Sequence, residues 1–341
     1  MLDAPTLHAH GSAGGGLTAA LFAGARAPPG CVAPLQPVNI VLTGASGQLG
    51  RELLPLLQPL GTVIGLDRSV TAGDSSAVQK DLANLDGVEA LLNRIRPDLV
   101  VNAAAYTAVD QAESEPDAAF RVNAELPGCL GRWLRRNDGL LLHYSTDYVF
   151  SGEANEPYPE HAPTGPLNVY GESKLAGELA VTGSGCRHLV LRTSWVYSGH
   201  GNNFVLTMLR LARERPSLNI VADQTGCPTW ARNLARVSTA LLAQAAGPGS
   251  GRSGIWHYCD RDAVSWYDFA RAIFTTAQEL GVLARLPETT AGTTAQFPQA
   301  ATRPLYSVLD TSAIHADFGI EPAGLLDSLR TCIEDMKAHD E

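Results

Sequence analysis

Positive charge is in short supply: 25 lysines and arginines stand against 35 aspartates and glutamates, a formal net charge of −10. A nucleic-acid binder needs a basic footprint, and this balance argues against that class. A diphosphate stays open as a ligand, because a local cluster can hold a small anion on an acidic chain. Long apolar runs are missing as well; none approaches the roughly 18 residues of a membrane span. Residues 15–27 are mildly apolar, but residues 1–14 contain no Lys or Arg, which argues against a secretory signal. The six cysteines (Cys31, Cys129, Cys186, Cys227, Cys259 and Cys332) are scattered and form no CxxC pair. They read as buried or idle thiols of a reducing cytoplasm, and the expected location is cytoplasmic.

What remains is an ordinary globular composition. Hydrophobic residues make up 45% and charged residues 18% of 341 residues, enough for roughly two domains. Residues 1–37 are rich in Ala, Gly and Pro without periodicity, and read as a disordered extension with no function attached. Order begins at Val38. Short apolar runs at 38–43, 63–67, 98–102, 140–145 and 189–193 predict strands. Helical patterns lie between them at 48–57, 85–96 and 116–135. Such alternation predicts an α/β fold, a Rossmann-like doubly wound parallel sheet over residues 38–193. Beyond residue 194 the alternation weakens. Helices are predicted at 203–213, 229–244, 265–280 and 323–337, separated by loops rich in Pro, Gly and Thr. Residues 194–341 read as a smaller, mostly helical C-terminal substrate domain, some of whose segments return to the sheet.

Gly44-Ala45-Ser46-Gly47-Gln48-Leu49-Gly50 follows a predicted strand and opens a predicted helix. Glycines permit the tight turn and the close approach of backbone to a pyrophosphate, and the helix N-terminus supplies amide hydrogens. A glycine pattern alone is weak; the strand–turn–helix context strengthens it. Asp67 lies at the end of the next strand, where a ribose hydroxyl would sit. Asp67 favours the free 2′-hydroxyl of NAD, whereas Arg68 beside it suits the 2′-phosphate of NADP, so both cofactors stay open. The plain alternative is a close-packed turn with a surface aspartate.

Tyr170 and Lys174 are four residues apart and share one helix face. Reducing a ketone requires a proton donor, and a nearby ammonium stabilises a phenolate and lowers its pKa. The earlier strand end, Ser145-Thr146-Asp147-Tyr148-Val149-Phe150, adds a hydroxyl that can bond the substrate oxygen or the tyrosine. Tyr-x-x-x-Lys by itself is common by chance; with Thr146 and the phosphate loop it points to a nicotinamide-dependent oxidoreductase.

Together these segments resemble the extended short-chain dehydrogenase/reductase superfamily and, within it, the dTDP-4-dehydrorhamnose reductase family. The resemblance runs from about Asn39 to the C-terminus. Its most specific stretches are Val101-Asn102-Ala103-Ala104-Ala105-Tyr106-Thr107, His143-Tyr144-Ser145-Thr146-Asp147-Tyr148, Asn168-Val169-Tyr170-Gly171-Glu172-Ser173-Lys174 and Asp223-Gln224-Thr225-Gly226-Cys227-Pro228-Thr229. The resemblance implies reduction of a dTDP-linked 4-keto sugar by NADPH or NADH, the last step of dTDP-rhamnose biosynthesis. It implies that Gly44, Gly47, Gln48, Leu49 and Gly50 cradle the cofactor diphosphate and Asp67 its ribose, with Asp81 and Leu82 flanking the adenine. Ala105, Tyr106, Thr107 and Tyr144 would line the cofactor. Thr146, Asp147, Trp195 and Arg303 would contact the sugar nucleotide. Tyr170 would be the proton donor, with Lys174 holding its pKa down and anchoring the ribose.

There are departures. The first 37 residues lie outside the family core, and Tyr106 stands where many members carry histidine. Some members dimerise through a magnesium site made of glutamates. Glu52 falls near such a position without a full ligand set, so no metal is assigned, and a homodimer is left open. Two rival readings remain. One is a nucleotide-sugar epimerase or dehydratase of the same superfamily, although Tyr148 follows Asp147 where a dehydratase needs a second carboxylate. The other is a non-catalytic regulatory subunit resembling that of methionine adenosyltransferase.

Overall fold

The computed structural model describes residues 38–68, 77–245 and 252–340. The expected disordered start, residues 1–37 with Cys31, lies outside the described residues. The first half alternates as the patterning requires. Its strands are β1 (Val38–Thr43), β2 (Gly61–Asp67), β3 (Ala77–Gln79), β4 (Leu99–Asn102), β5 (Leu140–Thr146) and β6 (Arg187–Thr193). Its helices are α1 (Gln48–Leu57), α2 (Leu85–Ile95), α3 (Val109–Ala112), α4 (Pro116–Phe120), α5 (Leu126–Arg136) and α6 (Val169–Gly183). The second half carries short strands β7 (Val196–Tyr197), β8 (Ser217–Val221), β9 (Thr225–Gly226), β10 (Thr229–Trp230), β11 (Gly254–His257), β12 (Val264–Ser265) and β13 (Glu288–Gly292). Its helices are α7 (Phe204–Glu214), α8 (Ala231–Ala245), α9 (Trp266–Glu279), α10 (Ser312–Phe318) and α11 (Leu325–Asp340).

Seven strands form one parallel sheet in the order β11-β6-β5-β4-β1-β2-β3. Both faces are covered, because side chains alternate along each strand. Ile40, Leu42, Val101, Leu142 and Leu191 face a core closed by α1, α8 and α10. Val41, Val100, Leu141 and Val190 face the opposite core, closed by α2, α5 and α6. The chain winds from β1 outward through β2 to β3, then returns to β4 on the other side of β1. The crevice at the carboxyl ends of β1 and β4 is therefore the topological switch point, where ligands bind in such sheets. A separate core gathers Met208, Ile220, Trp230, Phe269, Ile273, Leu329 and Ile333 from α7, β8, β10, α9 and α11.

Two local differences from the sequence reading have physical causes. The single helix read over 116–135 is broken by a π-helical turn, Arg121–Glu125, between α4 and α5. The wider turn lets the Asn123 side chain bond the Tyr106 amide at 2.8 Å, the Tyr106 carbonyl at 3.0 Å and Ser173 Oγ at 2.9 Å. The helix read from residue 229 starts at Ala231 instead, because Thr229 and Trp230 pair in parallel with β7.

Candidate active site

The phosphate loop is built by close approach. Gly44 has φ +67°, and a Cβ there would come within 2.8 Å of the Ala104 amide nitrogen. A Cβ on Gly50 would stand 2.1 Å from the Gly44 carbonyl oxygen. Gly47 caps α1 without a side-chain capping bond, so no side chain closes the first-turn amides. Asp67, at the end of β2, braces the loop: its Oδ2 accepts from the Ser46 amide at 2.9 Å and hydroxyl at 2.7 Å. A narrow, glycine-lined turn ahead of a helix N-terminus fits a dinucleotide diphosphate.

The other expected cofactor residues differ in how they are placed. The Gln48 side chain turns toward the 198–203 loop, where its Oε1 accepts from Asn203 Nδ2 at 2.9 Å and Ser198 Oγ at 3.1 Å. Leu49 packs partly against the core. Neither side chain is therefore turned to the glycine turn, which leaves their backbone amides on that side. Asp81 is exposed, and its Oδ1 accepts from the Ala83 amide. Leu82 is buried in the core, leaving its backbone for any ligand. Ala105 and Tyr106 are half-buried and Thr107 exposed in the loop after β4. The Tyr106 hydroxyl donates to Glu115 Oε2 at 2.9 Å. Tyr144 points into the core and donates to Ser238 Oγ at 2.7 Å; only its carbonyl turns toward Lys174.

Beneath the crevice runs a buried polar chain that sequence reasoning missed. Thr43 Oγ1 donates to Asn102 Oδ1 at 2.6 Å and accepts from the Ala104 amide at 3.2 Å. Asn102 Nδ2 lies 2.9 Å from His143 Nδ1. Burial, with Lys174 adding to it, holds His143 well below the usual imidazole range, so its ring is neutral and Nδ1 accepts. The chain ties together the ends of β1, β4 and β5. The available signal was polar residues inside otherwise apolar strand runs.

Helix α6 carries the proposed acid. Asn168 caps it, accepting from the Gly171 amide at 2.8 Å and donating to the Thr302 carbonyl at 2.7 Å. A Cβ on Gly171 would meet the Tyr148 carbonyl at 2.3 Å, and one on Gly177 the Asn123 carbonyl at 2.0 Å. These two glycines let α6 lie against the end of β5 and the π turn. Tyr170 lies beside Thr146, whose hydroxyl donates to Asp147 Oδ1 at 3.0 Å and eases ionisation of the phenol. Lys174 is buried and donates to the Tyr144 carbonyl at 2.5 Å. One turn further on, Glu178 forms a buried two-pronged pair with Arg192 at 2.8 and 2.7 Å.

The electrostatics differ from the expectation that Lys174 holds the phenol down. Burial pushes Tyr170 up to about 12, the Thr146 hydroxyl opposes this, and the Asp147 carboxylate adds to it. Burial presses Lys174 down to about 8, and Glu178 resists. The ammonium bonds a carbonyl, and the charge felt at the phenol is that of Asp147. Asp147 is itself pushed up to about 6 by burial, against the nearby Ser307 hydroxyl and the Thr146 hydroxyl, which donates to its Oδ1 at 3.0 Å. Its Oδ2 is buried without a hydrogen-bond partner among the described residues.

Trp195, with φ +46°, stacks on Trp266 with ring centroids 3.4 Å apart and 4° between planes. A Cβ on Gly226 would sit 2.6 Å from the Trp195 ring, so the stack depends on that glycine. Trp266 forms part of the wall of a cleft of about 560 Å³ with Phe204, Met208, Ile220, Phe297 and Arg303. Arg303, expected to meet a diphosphate, bonds Asp110 through both guanidinium prongs at 3.0 and 2.7 Å. Glu52 pairs with Arg232. Among the described residues no group of three or more His, Cys, Asp or Glu is placed to hold a metal ion.

Comparison with known proteins agrees with this geometry. The family model described as the RmlD substrate binding domain matches residues 38–338. A dTDP-4-dehydrorhamnose reductase of Burkholderia thailandensis is 42% identical over 310 residues, 88% of this chain and 99% of that protein. The enzyme of that name from Escherichia coli K12 is 42% identical over 283 residues, 83% of this chain and 93% of its own length. The crystal structure of dTDP-4-dehydrorhamnose reductase from Bacillus anthracis in complex with NADP superposes with a TM-score of 0.78 at 32% identity, covering 88% of this chain and 100% of that one. With its sheet, phosphate loop and tyrosine helix all inside the matched region, the chain belongs to the RmlD substrate binding domain family.

Proposed function

We propose that this chain is an NAD(P)-dependent oxidoreductase that converts dTDP-4-dehydro-L-rhamnose into dTDP-L-rhamnose, closing dTDP-rhamnose biosynthesis. The observation that carries the reading is the placement of Tyr170 and buried Lys174 on one helix beside Thr146 at the end of β5. The identity of relatives over nearly their whole length supports the choice of substrate.

The residues divide the work. The Gly44–Gly50 turn and the N-terminus of α1 hold a diphosphate, and Asp67 and Lys174 the riboses. Bound there, NADPH or NADH supplies the hydride for sugar carbon 4; the NADP complex of the relative makes NADP the first cofactor to test. Tyr170 donates the proton to the carbonyl oxygen as negative charge develops on it. A phenol pushed up to about 12 stays protonated at neutral pH, so it can give its proton to the developing alkoxide, which becomes the sugar alcohol. Thr146 orients that hydroxyl. Asp147 Oδ2 accepts a sugar hydroxyl. The sheet holds the cofactor, while residues 194–341 hold the sugar nucleotide between the Trp195–Trp266 stack and Arg303, which exchanges Asp110 for a substrate diphosphate.

The test is oxidation of NADPH and NADH by the purified chain with and without the dTDP-4-keto sugar, with the product identified. Consumption is expected only with the sugar. Tyr170→Phe is expected to lower kcat roughly 10²–10⁴-fold, the usual contribution of a general acid. Full activity in that variant, or turnover without net cofactor consumption, refutes the reading.

A further inference from the structure

Three helices from different parts of the fold meet at one arginine that the proposed mechanism does not use. Arg232, in the first turn of α8, donates from Nε to Glu52 Oε2 on α1 at 2.8 Å, and from Nη1 to Asp335 Oδ2 on α11. The Glu52 side chain is only 11% exposed and that of Arg232 32%. The guanidinium carbon lies 4.8 Å from the Trp230 ring centroid, and that of Arg236, one turn along α8, lies 5.9 Å from the same ring. An enclosed carboxylate, a second carboxylate and an aromatic face are thus all satisfied by one side chain.

The resemblance raised a magnesium site built from glutamates, with Glu52 near one of its positions. The donors here do not fit it. Magnesium takes oxygen ligands at roughly 2.0–2.1 Å in a near-octahedral array. In this cluster a guanidinium stands between the two carboxylates, and a dication entering there would have to displace it and face Arg236 as well. No third acidic or imidazole ligand is in place among the described residues. A guanidinium, by contrast, is planar, always charged, and bonds two carboxylates in separate directions.

We propose that Arg232 is a built-in cation, joining α1, α8 and α11 as a divalent ion between carboxylates otherwise would, so that neither the stability nor the assembly of this chain depends on magnesium. The idea is independent of the catalytic reading, since Arg232 bonds Glu52 and Asp335 and the proposed proton transfer uses none of the three.

The test uses the full-length chain, its melting temperature and sedimentation coefficient in EDTA and in millimolar magnesium chloride, and calorimetric titration with magnesium. Neither property is expected to move in the wild-type chain, and no binding heat is expected. Arg232→Ala is expected to lower the melting temperature by about 2 °C. Arg232→Glu is expected to melt lower in EDTA and to regain part of the loss in magnesium, whereas Arg232→Lys gains nothing from the metal. Magnesium binding by the wild-type chain, an EDTA-dependent change in its melting or sedimentation, or an Arg232→Ala melt equal to wild type would overturn the proposal. If the glutamate variant does not fold, the wild-type titration still decides.

Discussion

At the scale of single residues, Asp147 is a group whose environment is at odds with its charge. Burial raises its carboxyl to about 6 against an ordinary value of 3.8. A carboxyl raised in the folded state binds its proton more tightly there than in the unfolded chain. It therefore destabilises the fold as pH rises from about 4 to about 6, and the full penalty stands at neutral pH. Two pKa units correspond to roughly 3 kcal/mol. Asp147→Asn is expected to be more stable than wild type at pH 7 by up to about that amount, with the difference shrinking toward pH 4. Denaturant melts at pH 4, 5 and 7 measure it; equal stability at every pH argues against the buried charge. The same variant is expected to lose sugar-nucleotide turnover, because a carboxylate oxygen is exchanged for a weaker acceptor. The sequence placed Asp147 beside Thr146, but its burial could not be read there, since that depends on Ser307 arriving from the far end of the chain.

At the scale of elements, α6 works only because it lies closer to its neighbours than side chains normally permit. Gly171→Ala puts a methyl group 2.3 Å from a backbone carbonyl, which has to move. The helix start is then lifted from the end of β5 and Tyr170 is carried away from Thr146. A fall in kcat of at least 10-fold, with cofactor affinity nearly unchanged, is the expected result. Steady-state kinetics beside a cofactor titration check this, and unchanged kcat contradicts it. The Glu178–Arg192 pair is a second element-scale device, fixing α6 to β6 from inside the core. Removing one partner leaves a buried charge uncompensated, so Arg192→Met is expected to cost about 3–5 kcal/mol in a denaturant melt. The shared helical face of Tyr170 and Lys174 was legible from their spacing, while the bounds of the helix, Val169–Gly183, came from the structure. The close packing was not, because the distance from Gly177 to Asn123 is set by the π turn, which leaves no periodic mark.

At the scale of the molecule, the parallel sheet and the helical cluster around α7, α9 and α11 carry different binding tasks in the proposed reaction. Trp266 lines the cleft of the second core and lies away from the phosphate loop. Trp266→Ala is therefore expected to raise KM for the sugar nucleotide about 10-fold or more while leaving NADPH affinity within twofold. Parallel titrations with the two ligands read this split, and equal losses for both deny it. β11 complicates a simple division, since Gly254–His257 lies late in the chain yet pairs with β6 at the edge of the sheet.

The sequence by itself determined the parts governed by local rules. Alternating short apolar runs and helical periods were enough for a doubly wound parallel sheet, and Gly44, Gly47 and Gly50 between a strand and a helix were enough for the phosphate loop. Tyr170 and Lys174 share a face wherever a helix forms. Tertiary structure decided what depends on contacts between distant segments. It brought Arg303 to Asp110, Gln48 to Asn203 and Arg232 to Glu52, separations of 193, 155 and 180 residues. It also decided the state of the acid: a phenol pushed up by burial beside Asp147, with Lys174 bonded to a strand carbonyl. A desolvation penalty arises from everything packed around a group, and one segment read alone contains too little of that surrounding to reveal it.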